Sequence, residues 1–238
     1  MIALSFALPE ESKGIVRLVG SASRAGSSAL PVISGTLAGR EIVIVHSGMG
    51  MDSASARIGT FLDSHTPSLW IAAGFAGGLS PDLRVGDILT VRNFSDPDRF
   101  SDIASLPART GTLITTKSVV QTAEQKQDLA RHTGAAAVDM ETAAIHRLCA
   151  AHGIPMLSIR AISDAASQDL PVPAAVWFDS ARQRPRPLPL LLHLASHPAR
   201  ILPFARFVRG VNSARSSLTT FLLAALAALP EKIAGIDD

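Results

Sequence analysis

Three acidic residues stand in local settings that ordinary surface carboxylates do not occupy. Glu11 closes Ala7-Leu8-Pro9-Glu10-Glu11, Glu141 ends Val138-Asp139-Met140-Glu141, and Asp164 follows Arg160-Ala161-Ile162-Ser163. A carboxyl held out of water can serve as an acid or a base. Taken singly, each also fits a helix cap or a solvated loop. Two glycine clusters, Ser47-Gly48-Met49-Gly50 and Gly74-Phe75-Ala76-Gly77-Gly78, follow apolar runs. Glycine there allows backbone amides to approach a sugar or an anion, and equally allows a plain tight turn. Neither cluster matches the phosphate loop of nucleotide triphosphatases or the full dinucleotide fingerprint.

The elements that must position these residues are read from hydrophobic period. Ile2 to Leu8, Glu41 to His46, Leu69 to Ala73, Ile88 to Val91, Gly111 to Thr115 and Pro155 to Ile162 read as buried strands. Ser53 to Ser64 and Asp139 to His152 read as helices, which places Glu141 in a first helical turn and Asp164 at a strand end. Strands alternating with helices predict a three-layer α/β/α sandwich around a twisted, mixed, mostly parallel sheet. Ligands bind such sheets at the strand ends.

The 238 residues suffice for a core without disulfides, and one domain is expected: a catalytic core over 1–170 with a Pro/Arg-rich helical extension over 171–238. The chain is 47% hydrophobic but has no Tyr, so the core is expected to rest on Ala, Val, Ile and Leu. The lone Cys149 suggests a structural thiol in a reducing compartment. The apolar N-terminus has no basic start and no cleavage pattern, so a cytoplasmic location is expected. A net charge of +2 gives no reason to expect nucleic acid as a partner. The charge is uneven, however: Ala181 to Pro230 contains no Asp or Glu and carries Arg182, Arg184, Arg186, Arg200, Arg206, Arg209 and Arg215 among Leu, Ile, Phe and Pro. Such a tail fits an ordinary packed helix pair with solvated arginines. It equally fits a basic amphipathic segment in peripheral contact with the inner, anionic membrane face.

In their order along residues 1 to 168, the blocks at Ala7–Glu11, Ser47–Gly50, Gly74–Leu79 with Val85-Gly86-Asp87, Val138–Glu141 and Arg160–Asp164 resemble the nucleoside phosphorylase superfamily, especially its 5'-methylthioadenosine/S-adenosylhomocysteine nucleosidase branch. The resemblance implies cleavage of the N-glycosidic bond of an adenosine-type nucleoside. Asp164 would protonate the purine at N7, for which its neutral form would have to be stabilised by burial. Glu141 would accept the ribose hydroxyls as a carboxylate, with Met140 against the sugar. Glu11 would activate water, and Arg160 would position that water or a phosphate, or else partner Glu11 or Asp164. Phe75, Ala76, Gly77 and Ser163 are placed along the substrate, and Val119 and Val120 beside the base. No metal or cofactor is implied, although phosphate could serve as co-substrate. A homo-oligomer, with a dimer favoured, is implied as well.

Departures bear on these roles. Phe75 stands where the family usually carries Ser, and Ala72 and Ala73 stand where hexameric phosphorylases place an Arg, which weakens a phosphate site unless Arg24 or Arg40 supplies charge. Val119 and Val120 replace an aromatic beside the base. The glycine cluster at 74–78 and the Pro/Arg-rich tail resemble more closely the hopanoid-associated nucleosidases/phosphorylases, which remove adenine from adenosylhopane. Methylthioadenosine hydrolysis and purine nucleoside phosphorolysis are the enzymatic alternatives. A catalytically silent nucleoside-binding protein is the alternative of another class.

Overall fold

The computed structural model describes residues 1–26, 30–96, 103 and 105–230. In chain order the elements are β1 (Ile2–Phe6), α1 (Pro9–Val16), β2 (Gly20–Gly26), β3 (Pro31–Leu37), β4 (Arg40–His46), α2 (Met51–Leu62), β5 (Leu69–Gly78) and β6 (Ile88–Val91). There follow β7 (Arg109–Gly111), β8 (Leu113–Thr115), α3 (Ala123–Thr133), β9 (Ala137–Asp139), α4 (Thr142–Ala151) and β10 (Met156–Asp164). The C-terminal part holds α5 (Ala174–Trp177), the short pair β11 (Phe178–Asp179) and β12 (Arg184–Pro185), α6 (Pro187–Ser196) and α7 (Ile201–Ala228).

The ten-stranded sheet runs β2-β3-β4-β1-β5-β10-β6-β7, with β9 joining β5 to β8. Its centre, β4-β1-β5-β10, is parallel, and β3, β6 and β9 attach antiparallel. Strand alternation sorts the side chains into two faces. Ile2, Leu4, Phe6, Leu69, Ile71, Leu157 and Ile159 pack with Ile15 of α1 and with Leu218, Phe221, Leu222 and Ala225 of α7. Ala3, Val43, Val45, Trp70, Ala72 and Met156 pack on the opposite face with Ile58 and Phe61 of α2 and Ile145 and Cys149 of α4. Both faces of the central strands are therefore buried, which is the condition a parallel sheet requires. The α/β/α sandwich is as predicted, and its core is built chiefly from aliphatic residues with Phe and one Trp.

Three of the boundaries that differ from the sequence reading bear on the site. The strand read as Leu69 to Ala73 continues through the glycine cluster to Gly78, because β10 and β9 pair along it; glycine is needed at 74, where a Cβ would lie 2.6 Å from Arg160 Nη1. The helix expected from Asp139 begins at Thr142, since Asp139 is the last residue of β9 and its carboxylate caps the helix by accepting from Thr142 N at 3.1 Å. The strand read over Gly111 to Thr115 is two short strands that pair with different partners.

The long α7 spans about 42 Å at 1.5 Å per residue. Its second half belongs to the core, whereas its first half passes over the strand ends. Arg40 donates to the carbonyls of Leu226, Leu229 and Pro230, satisfying acceptors that the helix end leaves open. Among the described residues, no helix is long and apolar enough to cross a membrane.

Candidate active site

Strands β1, β5, β9 and β10 end around one cavity of about 460 Å³, and the loop after β4 adds Met49. Glu11, Phe75, Ala76, Gly77, Val119, Val120, Met140, Glu141, Ser163 and Asp164 all line it. Of the predicted site residues, only Arg160 does not.

Glu11 reaches the cavity from the first turn of α1, which Pro9 starts with its fixed φ and missing N–H. Its Oε2 accepts from Ala7 N at 2.7 Å and Leu8 N at 3.2 Å, and its Oε1 from Phe75 N at 3.1 Å. Burial nevertheless outweighs these donors and Arg160, and raises its pKa above the ordinary 4.5. A carboxylate with a raised pKa, aimed into a cavity, is suited to taking a proton from water.

Glu141 occupies the N-cap position of α4, where its Oε1 accepts from Gly50 N at 2.6 Å. The loop carrying Gly50 is tied in turn to the C-terminal region: Gln183 Oε1 accepts from Met49 N at 2.7 Å and its Nε2 donates to Met49 O at 3.0 Å. Burial, followed by the charge of Asp139, pushes Glu141 up to about 8. Its surroundings favour the neutral acid over the carboxylate that the ribose role requires. A cationic sugar beside it would draw the charged form out.

Arg160 lies on the α2/α4 face of β10, beneath the cavity. Its Nη2 pairs with Asp139 Oδ2 at 2.9 Å and donates to Thr142 Oγ1, while its Nε has no hydrogen-bond partner. The structural partner of Arg160 is thus Asp139, rather than Glu11 or Asp164. Asp139 also accepts from Thr115 Oγ1 at 2.7 Å, so one buried carboxylate joins β8, β9, α4 and β10 and fixes the junction that presents Met140 and Glu141. Arg160 influences the cavity through its charge on Glu11 and Glu141.

Asp164 sits at the end of β10, past a bulge that turns its side chain into the cavity. Its Oδ1 accepts from Ser163 Oγ at 2.6 Å, and its Oδ2 is paired with Lys126 Nζ at 2.5 Å. The sequence reading expects burial to hold Asp164 neutral. It is buried, and the fully buried ammonium of Lys126 is bonded to it. The sequence reading missed Lys126 because a lysine ordinarily faces water, although Leu129 and Ala130 at i+3 and i+4 mark its side of the helix as the inward one.

The rest of the cavity is apolar and comes from the C-terminal part: Trp177, Leu190, Phe204, Phe207, Val208 and Val211. Arg24 and Arg40 do not line it. The arginines that do are Arg186 and Arg215, which donate to Ala175 O and Glu10 O at 3.0 and 2.6 Å.

A family model described as the phosphorylase superfamily matches residues 2–106 and 99–184. A 5'-methylthioadenosine/S-adenosylhomocysteine nucleosidase of Shewanella sp. (strain W3-18-1) is 27% identical, over 72% of this chain and 88% of that protein. The crystal structure of the Streptococcus pneumoniae MTA/SAH nucleosidase in complex with 8-aminoadenine matches with a TM-score of 0.73 at 22% identity, covering 96% of this chain and 99% of that one. Futalosine hydrolase of Helicobacter pylori strain 26695 matches with a TM-score of 0.69 at 19% identity, covering 94% and 96%. These two structures share the fold described above.

Proposed function

The chain belongs to the phosphorylase superfamily, and from that premise we propose that it is a nucleosidase that cleaves the N-glycosidic bond of an adenosine-type nucleoside and releases adenine. The observation that carries this reading is the convergence of Glu11, Glu141 and Asp164, from three distant segments, on one cavity. Adenine leaves poorly as an anion, so a proton given to N7 by Asp164 lets the bonding electrons move onto the base; such help is typically worth ~100 to 10,000-fold. Glu141 holds the ribose hydroxyls and, as the sugar becomes cationic, supplies the opposing charge. Glu11 takes the proton of the water that adds to the sugar. Water is preferred to phosphate as nucleophile because Arg160 Nη2 is committed to Asp139 and Thr142, and its Nη1 lies beside the Glu11 carboxyl, whose negative charge disfavours a second anion there.

For the 5'-substituent we favour a large apolar group, as in adenosylhopane. Trp177, Leu190, Phe204, Phe207, Val208 and Val211 give the cavity an apolar wall that a large apolar 5'-group would cover. Around it, Leu188, Leu191 and Leu192 of α6 and Ile201 and Leu202 of α7 are half exposed or more, on a stretch with no acidic residue. An apolar surface flanked by arginines suits an anionic bilayer, from which such a substrate would have to be drawn. A cytoplasmic homodimer in peripheral contact with the membrane completes the proposal. The second reading, hydrolysis of 5'-methylthioadenosine or S-adenosylhomocysteine, is favoured by the relative at 27% identity.

The test is chromatography of free adenine from a panel of adenosine, 5'-methylthioadenosine, S-adenosylhomocysteine and adenosylhopane, with and without phosphate. Release in phosphate-free buffer, best for adenosylhopane, is expected. A strict need for phosphate would make the protein a phosphorylase. Binding without release across the panel would make it a silent nucleoside-binding protein.

A further inference from the structure

Lys126 is the single buried residue of α3, and it is a lysine. Burying an ammonium is costly unless every proton on it finds an acceptor. Here the three protons have three acceptors: Asp164 Oδ2 at 2.5 Å, Gln168 O at 2.7 Å and Ala165 O at 2.9 Å. The surroundings hold this geometry in place. The Thr122/Gln125 capping box starts α3, Asp169 Oδ1 accepts from Ala123 N at 2.8 Å, and Leu170 N donates to Gln121 O at 2.7 Å. The segment after Asp164 is thereby strapped to the helix that carries Lys126.

A carboxylic acid ordinarily gives up its proton near pH 4 and an ammonium near pH 10. A lone carboxyl would therefore be an empty acid at neutral pH. A carboxylate bonded to a buried ammonium shares one transferable proton with it. Resting on the assignment of Asp164 as the acid, we propose that Lys126 and Asp164 form one proton-holding pair, in which Lys126 is the positioning residue that keeps Asp164 supplied with the proton it delivers to the base. As the C1'–N9 bond lengthens, the Lys126 proton moves to the Asp164 carboxyl, which protonates N7, and the bond's electron pair passes to the base. Water adds to the sugar and loses a proton to Glu11 and then to solvent. When adenine has left, solvent entering the cavity returns a proton to Asp164 and, through it, to Lys126. The sum is nucleoside plus water giving adenine plus free sugar.

Other titratable groups face the same space: Glu10, Glu11, Asp139, Glu141, Arg186 and Arg215 line the cavity, and Asp169 lies at the far end of the strap. Glu11 is held by backbone amides and Asp139 by Arg160. Among the described residues, Lys126 is the one cation paired with Asp164. Glu141 titrates in the same range, so the informative quantity is the ratio of variant to wild-type rates, from which its contribution cancels.

The experiment measures kcat for adenine release from adenosine and 5'-methylthioadenosine between pH 5.5 and 9.5, for wild type, Lys126→Met, Lys126→Arg and Asp164→Asn. In Lys126→Met the acid is a lone carboxyl, so the variant-to-wild-type ratio should fall by about tenfold per pH unit over part of that range. Lys126→Arg keeps the cation, and with it the fold should Lys126→Met fail to fold. A guanidinium does not surrender its proton, so this variant should be at least about tenfold slower than wild type throughout. A pH-independent ratio for Lys126→Met, or wild-type rates for Lys126→Arg, overturns the pair. Wild-type turnover by Asp164→Asn would instead remove Asp164 from the acid's role, a failure of the underlying reading that the lysine variants do not mimic.

Discussion

Glu141→Gln tests the electrostatics of the cavity without any substrate. Burial and Asp139 raise Glu141 from 4.5 to about 8 in the folded protein, whereas the unfolded chain keeps the ordinary value. Between those limits the native state binds more protons than the unfolded state, so stability falls as pH rises. The contribution is fully present below 4.5 and lost as pH passes through about 8. At about 1.4 kcal/mol per pH unit, the whole interval amounts to roughly 4 to 5 kcal/mol, most of it already lost at pH 7. Gln has the same size and still accepts from Gly50 N, but it does not ionise. Urea unfolding followed by fluorescence of the buried Trp70 should therefore give wild-type and variant curves that diverge between pH 5.5 and 8, the variant gaining relative stability by about 1 kcal/mol or more per pH unit. Parallel curves would show that Glu141 ionises normally, and the desolvated cavity inferred from its surroundings would be wrong.

Three further outcomes are expected. Arg160→Met strips the buried Asp139 of its cation and should lower unfolding free energy by about 3 to 5 kcal/mol, read as a lower urea midpoint. Phe207→Ala, which removes part of the cavity's apolar wall, should raise KM for adenosines with long apolar 5'-substituents by about 10- to 100-fold, as removal of a phenyl contact worth about 1.5 to 3 kcal/mol implies, and leave 5'-methylthioadenosine unaffected. Leu191→Glu with Leu192→Glu should reduce co-sedimentation with anionic liposomes; equal sedimentation of variant and wild type would return α6 to the role of an ordinary surface helix.

The central strands were legible because each has both faces buried and reads as a continuous apolar run, as Leu69–Ala73 and Pro155–Ile162 do. The boundaries at Asp139 and Gly74 were not. Asp139 looks like part of a helix by composition, and only its threefold partnership with Thr115, Thr142 and Arg160 makes it a strand end. Gly74 to Gly78 looks like a turn until β10 and β9 are seen paired along it. The three carboxylates were legible in the order of their motifs. Lys126 was not, since a lysine ordinarily faces water; the one local sign is that Leu129 and Ala130, three and four residues on, pack inward from the same side of α3. Likewise, the apolar wall depends on how far α7 reaches past the sheet, and residue types alone do not set that distance.

The most direct measurement is single-turnover release of adenine by wild type and by Asp164→Asn, with the variant's fold verified by its unfolding curve. A loss of about 100- to 10,000-fold in the rate, with nucleoside binding retained, is expected if Asp164 gives the base its proton. Equal rates for the two proteins, or no adenine from wild type with any adenosine-type nucleoside, would contradict it.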